Sequence, residues 1–248
     1  MTPPMTSMLK RSVLAVTLGL GLAGGMTPAQ AQTDEATFNL VLKGFNAGTL
    51  SFSGVQKDKI YSVVGTLKSS GLAAMLKKVR YDAKASGRIS KGRYTPSSYS
   101  ESADTGKRQS QSVMAYVKGV PQVKSYSPPR EPYKTDVDPS TMGGTVDPLT
   151  AMYATLRDVD KGEECKVSLA MFDGRRHSQI RTSSPKADGE NVVCAGEYRR
   201  LAGFSEKEMA EKTRFAFTLT YAPVEGGRMR VIEVAMDTLY GKARLQRR

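Results

Sequence analysis

His177 is the only histidine of the chain, and it lies on a short stretch that also contains Asp173 and Arg175. A Ser-His-Asp triad needs a histidine as its general base, so such chemistry would have to use His177. The stretch lies beside a hairpin turn, however, and the chain contains no Gly-x-Ser-x-Gly elbow to present a serine. His177, Asp173 and Arg175 are therefore the one cluster worth testing for catalysis, and we predict that the protein is not an enzyme.

Sequence motifs for metals, nucleotides and glycosidic bonds are also missing. A lone histidine cannot form a typical zinc site without thiolates, and both thiols of this chain are expected to be paired. Neither Gly-x-x-x-x-Gly-Lys-Ser/Thr nor Gly-x-Gly-x-x-Gly occurs. Carboxylate pairs such as Asp158 and Asp160 are common at helix ends and in loops. The sequence therefore predicts no catalytic residue, no metal ligand and no cofactor.

Arginine side chains are the best candidates for binding a ligand. Arg175, Arg176 and Arg181 lie on and beside a predicted strand, where they would form a cationic patch. Arginine can hold a phosphate or carboxylate through two parallel hydrogen bonds. We predict a candidate anion patch at these residues; the alternative is a solvated strand face with cross-strand ion pairs.

Two cysteines, Cys165 and Cys194, are present in the whole chain. An even number of cysteines in an exported protein is typical of a disulfide, and this pair lacks the Cys-x-x-Cys spacing of redox sites. Closing a loop of about 30 residues would stabilise the fold by roughly 3–4 kcal/mol in the chain-entropy view. We predict a structural disulfide, with a redox-active pair as the alternative.

Residues 1–31 have the pattern of a secretory signal peptide. Lys10 and Arg11 precede an apolar run over residues 12–26, and Ala29-Gln30-Ala31 is a small-x-small cleavage site. We therefore predict a signal peptide over residues 1–31, a single β-rich domain over residues 32–248, and a periplasmic location. The alternative is an uncleaved anchor, although the apolar run is short and rich in glycine for a membrane span.

The formal net charge of the chain is +13. Such a charge attracts polyanions. An exported protein does not meet nucleic acid, so the expected anions are phospholipid head groups, lipopolysaccharide phosphates and acidic wall polymers. The alternative is charge that serves only solubility, because no run of basic residues is longer than two.

One helix is predicted, over residues 147–160. Asp147 is a good N-cap and Pro148 suits the first helical position. Leu149, Met152, Tyr153 and Leu156 follow with the i, i+3, i+4, i+7 spacing of one apolar face. We expect this helix to pack on or inside a curved sheet.

Most of the remaining chain alternates apolar and polar residues with a period of two, as in the stretch from residue 79 to residue 89. Asp173-Gly174 is a hairpin signal between two such stretches. About twelve or thirteen strand candidates with regular turn signals predict a mainly β fold, an antiparallel barrel or half-barrel. Residues 69–78 break the pattern as a short helical or looped insertion with exposed apolar groups, which would touch a lipid or partner or else form a lid on the sheet edge.

Four motifs, in order along the chain, resemble an exported bacterial family catalogued as a domain of unknown function, number 3108. The motifs are Ala47-Gly-Thr-Leu-Ser-Phe52, Thr145-Val-Asp-Pro-Leu-Thr-Ala151, Phe172-Asp-Gly-Arg-Arg176 and Ala202-Gly-Phe-Ser205. The resemblance covers roughly residues 38–245. It implies a periplasmic β-rich fold and supplies no catalytic residue.

Together these features predict a non-enzymatic periplasmic envelope protein that binds a lipid or another apolar or anionic envelope ligand, or that supports envelope integrity. By architecture alone this is similar to carriers of lipids and lipoproteins, which is a fold-level analogy. A carrier needs a groove lined by Phe, Leu and Met with a basic rim, and a filled interior would leave a structural or interaction role. The expected partners are anionic lipid, lipopolysaccharide or an envelope protein, with peripheral membrane contact and no nucleic acid. The alternatives are an enzyme acting on an envelope polymer and a scaffold that binds anionic lipid through its positive surface.

Overall fold

The computed structural model describes Met1 and residues 31–76 and 78–248. The predicted signal peptide therefore lies almost entirely outside the described residues. Within them, fourteen β-strands are joined by turns and three short α-helices. The strands are β1 (Gln32–Leu42), β2 (Phe45–Lys57), β3 (Ile60–Ser69), β4 (Arg80–Ser90), β5 (Arg93–Asp104), β6 (Gln109–Val117), β7 (Val120–Ser127), β8 (Val159–Asp160), β9 (Ser168–Phe172), β10 (His177–Asp188), β11 (Asn191–Ala202), β12 (Arg214–Val224), β13 (Arg228–Thr238) and β14 (Gly241–Arg247). The helices are α1 (Gly71–Leu76), α2 (Pro148–Leu156) and α3 (Glu206–Glu211).

The sheet is an antiparallel meander that is joined through its first and last strands. Neighbours in the chain pair from β1 to β7 and from β9 to β14, and β1 pairs with β14. The short strand β8 lies off this path and pairs with β13. The result is a nearly closed antiparallel barrel of 13 strands with β7 and β9 at its edges. This confirms the predicted mainly β barrel or half-barrel.

The gap between β7 and β9 is covered by residues 128–146, which we call the seam segment. Val146 forms an isolated parallel bridge with Met171 of β9. The amide of Gly144 donates a hydrogen bond of 2.9 Å to the carbonyl of Gly119 in the β6–β7 turn. These contacts attach the segment to both edges, so the barrel is closed here by a loop rather than by strand pairing.

Helix α2 begins where the sequence predicts and ends earlier. Asp147 is its N-cap, since the carboxylate accepts a hydrogen bond of 2.8 Å from the amide of Thr150, and Pro148 occupies the first helical position. The prediction that the helix reaches residue 160 is wrong, because Arg157 is already extended and Val159–Asp160 pairs with β13 as β8. Pairing with the sheet has replaced the last helical turn.

Helix α2 lies inside the curve of the sheet. It packs against β3, β4, β5 and β9. The ring of Tyr153 fits over Gly54 and the side chain of Leu149 over Gly65, at positions where a Cβ atom would collide with the helix. The rings of Phe52 and Tyr153 meet edge to face at 5.8 Å. Helix and sheet therefore form one core.

The two ends of the barrel are named here after the helices. Connections in an antiparallel meander alternate between ends, so the β2–β3, β4–β5 and β6–β7 turns lie together at the α2 end. The hydrogen bond of 3.1 Å from Gln56, near the end of β2, to Tyr153 places α2 there. The β1–β2 turn, α1, the β5–β6 turn, α3 and the β13–β14 turn lie at the opposite, α1 end.

The disulfide prediction is confirmed. Cys165, in the connection between β8 and β9, is bonded to Cys194 of β11, with 5.3 Å between the Cα atoms. Both residues are buried. The bond fastens the connection that follows α2 to the wall of the barrel.

Candidate ligand-binding site

An apolar surface lies on the core face of the sheet, towards the α1 end. We call it the lower lining, and it consists of Leu40, Leu50, Leu67, Val234, Met236 and Leu245. Paired residues of neighbouring strands point to the same face. Leu50 pairs with Phe38, and Val234 pairs with Leu219; both partners have no exposed surface. The lower lining therefore faces the interior.

Three of the remaining members are connected by direct cross-strand pairs, and Met236 follows Val234 two positions later on the same face of β13. Leu67 pairs with Leu50. Leu245 pairs with Leu40 on one side and with Val234 on the other. The lower lining is thus a continuous apolar strip across β3, β2, β1, β14 and β13.

The lower lining is less well covered than the rest of the core face. Its six side chains are half-buried, whereas Tyr61 and Val63, which face α2, are almost completely buried. The cause is the placement of α2 against β3, β4, β5 and β9. A concave apolar surface without a full cover is a candidate site for an apolar ligand.

A polar network fixes α2 at its own end of the barrel. Asp34 of β1 accepts a hydrogen bond of 3.0 Å from the Tyr153 hydroxyl and one of 3.3 Å from the amide of Asp158. Both nitrogens Nε and Nη2 of Arg230 donate to the Asp158 carboxylate, the shorter bond being 2.6 Å. Arg247 lies 3.5 Å from the same carboxylate. The charges of this network are satisfied within the protein, which indicates a structural role.

A cavity of about 980 Å³ extends along β1–β6 and reaches the C-terminal arginines. Its described lining is rich in hydroxyl groups, among them Thr37, Ser51 and Ser100, and also contains Arg247 and Arg248. It shares no described residue with the lower lining. The cavity suits water or a polar ligand, and its chemistry does not match the Phe, Leu and Met groove expected of a carrier.

Comparison with known proteins identifies the family. The family described as Protein of unknown function (DUF3108) matches residues 35–241. The chain belongs to this family. No curated protein matches the chain. This DUF3108 chain is also similar to the crystal structure of a β-barrel-like protein of domain of unknown function DUF1849 from Brucella abortus, with a TM-score of 0.48 and 12% identity over 87% of this chain and 95% of that one.

In this DUF3108 chain, the arginines of the predicted anion patch have different surroundings. Arg175 Nε donates a hydrogen bond of 3.0 Å to Asp136 of the seam segment. Arg176 lies 3.4 Å from Glu208 of α3. Arg181 is exposed further along β10. Two of the three guanidinium groups thus have carboxylate partners within the protein, and anion binding at this patch stays a prediction.

The three residues of the catalytic candidate have separate surroundings. Asp173 Oδ1 accepts hydrogen bonds from the amides of Arg175 and Arg176, at 2.9 and 2.7 Å, and Gly174 has a φ of +96°, so this stretch forms the hairpin turn. His177 is half-buried, and burial lowers the pKa of its imidazole. Among the described residues, no side-chain hydrogen bond joins His177 to a carboxylate or a hydroxyl. The cluster therefore lacks the base–nucleophile contact of a catalytic site.

Asp147 is the most strongly perturbed carboxyl group of the DUF3108 core. It is fully buried, and burial raises its pKa to about 6 in spite of hydrogen bonds from Thr150. The Thr150 hydroxyl donates to Asp147 Oδ2 at 2.7 Å and lies 2.8 Å from the hydroxyl of Tyr61. Asp147 thus links the start of α2 to β3 through a short polar chain. Its environment is that of a helix cap enclosed by the core.

No group of three or more His, Cys, Asp or Glu side chains in the described part of the chain is arranged to hold a metal ion. No helix within residues 31–76 or 78–248 is long and apolar enough to cross a membrane.

Proposed function

We propose that this DUF3108 protein is a non-enzymatic protein of the cell envelope that holds the acyl chains of an envelope lipid against the lower lining. One observation carries the proposal: six apolar side chains on the core face of a nearly closed barrel are only half-buried. Moving apolar surface from water into contact with an acyl chain is favourable by roughly 25 cal/mol per Å². A lipid chain would supply the cover that α2 does not provide.

The proposal includes export to the periplasm after removal of residues 1–31. The signal-peptide pattern supports export. The Cys165–Cys194 bond also supports it, because disulfides persist in oxidising compartments. In the envelope, the positive chain would meet anionic lipids, towards which basic residues are attracted.

Binding of a fluorescent fatty acid tests the proposed site, with Leu67→Arg as the diagnostic variant. Leu67 lies near the end of β3 and belongs to the lower lining. A guanidinium group there would have to be desolvated by the acyl chain, which is costly. We expect the affinity for the probe to fall by at least about tenfold.

Val64→Arg is the matched control, because Val64 lies on the same strand, is 46% exposed and is three positions away on the opposite face. This variant should bind the probe like the wild type. Circular dichroism should show both variants folded. Equal probe affinity in the wild type and in folded Leu67→Arg would contradict the proposed site.

A further inference from the structure

Three large apolar side chains project from the α1 end of the barrel. Met75 of α1 is 83% exposed, Tyr240 of the β13–β14 turn 73% and Phe45 at the start of β2 69%. Apart from Met1, they are the most exposed large hydrophobic side chains in the described part of the chain. We call these three residues the apolar rim. Their concentration at one end differs from the single exposed apolar residues that are scattered over most protein surfaces.

The segments that carry the apolar rim are neighbours in space. The amide of Lys43 donates a hydrogen bond of 3.0 Å to the carbonyl of Lys242, which joins the β1–β2 turn to the β13–β14 turn. The amide of Ser70 donates one of 3.1 Å to the carbonyl of Ala47, which joins the start of α1 to β2. The three apolar tips therefore belong to one continuous edge.

The segments that carry the apolar rim contain only positive charge, and the nearby Asp237 of β13 pairs with Lys242 across the hairpin. Residues 43–47, 70–79 and 239–242 contain four lysines and no acidic residue. Lys43, Lys78 and Lys242 are exposed there. Exposed lysines therefore lie on the same segments as the apolar rim, and a partner that fits both features offers negative charge beside an apolar interior.

We propose that the α1 end docks on the surface of an anionic phospholipid bilayer. The three apolar side chains would enter the boundary between head groups and acyl chains, where aromatic residues such as tyrosine are enriched. The lysines would contact the lipid phosphates, with each lysine contributing to binding near the surface. A basic polar face combined with an apolar one is the general design of such interfacial contacts. This inference goes beyond the proposed ligand site and does not depend on it.

Co-sedimentation with vesicles tests the docking surface, using the protein purified from its own cells without detergent. Wild-type protein should sediment with vesicles of mixed phosphatidylglycerol and phosphatidylcholine, and added salt should weaken this binding through screening. The triple variant Phe45→Ser, Met75→Ser, Tyr240→Ser should partition at least about tenfold less. The control Ile60→Ser, Val117→Ser removes exposed apolar groups at the α2 end, 57% and 48% exposed, and should bind like the wild type.

A second set of three variants tests the contribution of charge. Lys43→Glu is matched by Lys91→Glu and Lys118→Glu, because all three lysines precede a glycine in a turn and have φ near +50°. Lys43→Glu should lower the partition roughly fivefold or more, while the two variants at the α2 end should change it little. Leu67→Arg should still bind vesicles, which separates this test from that of the acyl-chain site.

Three results would overturn the docking proposal. The first is equal binding to pure phosphatidylcholine vesicles, and the second is an equal loss in the variants at the α2 end. The third is a wild-type protein that does not sediment but forms a dimer by light scattering, with the dimer lost in the triple variant. That outcome would make the apolar rim a contact between two copies of the chain.

Discussion

The hydroxyl of Tyr153 donates a hydrogen bond of 3.0 Å to Asp34, a residue 119 positions earlier in the chain. The same hydroxyl accepts one of 3.1 Å from Gln56. Because Asp34 belongs to β1 and Tyr153 to α2, these bonds hold the helix at one end of the barrel. The lower lining towards the other end is therefore not covered by α2, and the proposed function depends on this asymmetry.

Tyr153→Phe should destabilise the protein by about 1–3 kcal/mol, measured as the free energy of unfolding in urea. The substitution keeps the ring and removes one donor from Asp34, whose side chain is almost completely buried. Tyr116→Phe is the control, because the buried Tyr116 hydroxyl has no hydrogen-bond partner among the described residues. It should cost nothing or stabilise the fold slightly. Equal losses in the two variants would show that the bond to Asp34 does not hold the helix.

Asp147→Asn should change the pH dependence of stability. Burial raises the pKa of Asp147 from 3.8 to about 6, so the folded state binds the proton more tightly than the unfolded state. The contribution of Asp147 to the free energy of unfolding therefore falls as the pH rises from about 4 to about 6. Above that range it levels off. Asparagine remains a good N-cap and does not titrate.

The stability difference between the wild type and Asp147→Asn should therefore shift in favour of the variant by about 1 kcal/mol between pH 5 and pH 7. Urea unfolding at several pH values measures this shift, and the comparison cancels the other titrating groups. If the stability difference between the wild type and Asp147→Asn stays constant over this range, the Asp147 carboxyl group has the same pKa in the folded and unfolded states.

Replacement of Cys165 and Cys194 by serine should cost roughly 3–4 kcal/mol, because the bond closes a loop with a sequence separation of 29. Thermal unfolding of the double variant measures the loss. Reduction of the wild type with a thiol should bring its melting temperature close to that of the double variant. If the reduced wild type and the double variant keep the full stability of the oxidised protein, the bond does not support the fold.

Asp136→Ala should loosen the seam segment. Asp136 accepts hydrogen bonds from Arg130 at 2.8 Å and from Arg175 at 3.0 Å. Partial burial alone would raise the pKa of Asp136, but the two arginines hold it below its ordinary value of 3.8. The Asp136 carboxylate therefore contributes fully to the stability of the fold above pH about 4. This contribution is lost as the pH falls through the lowered pKa that Asp136 has in the folded state.

Hydrogen exchange at neutral pH should show faster exchange in Asp136→Ala at Val137, whose amide donates to the carbonyl of Arg175, and at Gly144 and Val146. A roughly tenfold increase corresponds to the loss of about 1.4 kcal/mol. Asp188→Ala, at the exposed end of β10, should leave these amides unchanged. Unchanged exchange in both variants would mean that the ion pairs do not close the barrel.

Much of the fold could be predicted because its signals are local. Asp147 and Pro148 mark the start of α2, and alternation with a period of two marks the strands. The insertion at residues 69–78 was expected to be short and apolar, and it contains α1 with the exposed Met75. The end of α2 could not be predicted, because β8 forms only through pairing with the distant strand β13.

The candidate site could not be predicted, because it depends on which strands become neighbours. Leu40 and Leu245 face each other only after β1 has paired with β14 at the two ends of the chain. The ion pair of Asp158 with Arg230 joins residues 72 positions apart and has no motif. Arg175 and Arg176 are adjacent in the sequence, yet they contact carboxylates on different elements. The composition predicts a basic protein. It does not predict where apolar surface stays uncovered, because that depends on which strands pair.

Native mass spectrometry of the protein purified gently from its own cells tests the central claim most directly. We expect a bound species with the mass of a lipid, which disappears after organic extraction and is absent from folded Leu67→Arg but present in Val64→Arg. The same spectrum should show a chain lighter by two hydrogens for the Cys165–Cys194 bond. A ligand-free mass for the wild type before any extraction, or a lipid retained equally by Leu67→Arg, would contradict the claim that the lower lining holds an acyl chain.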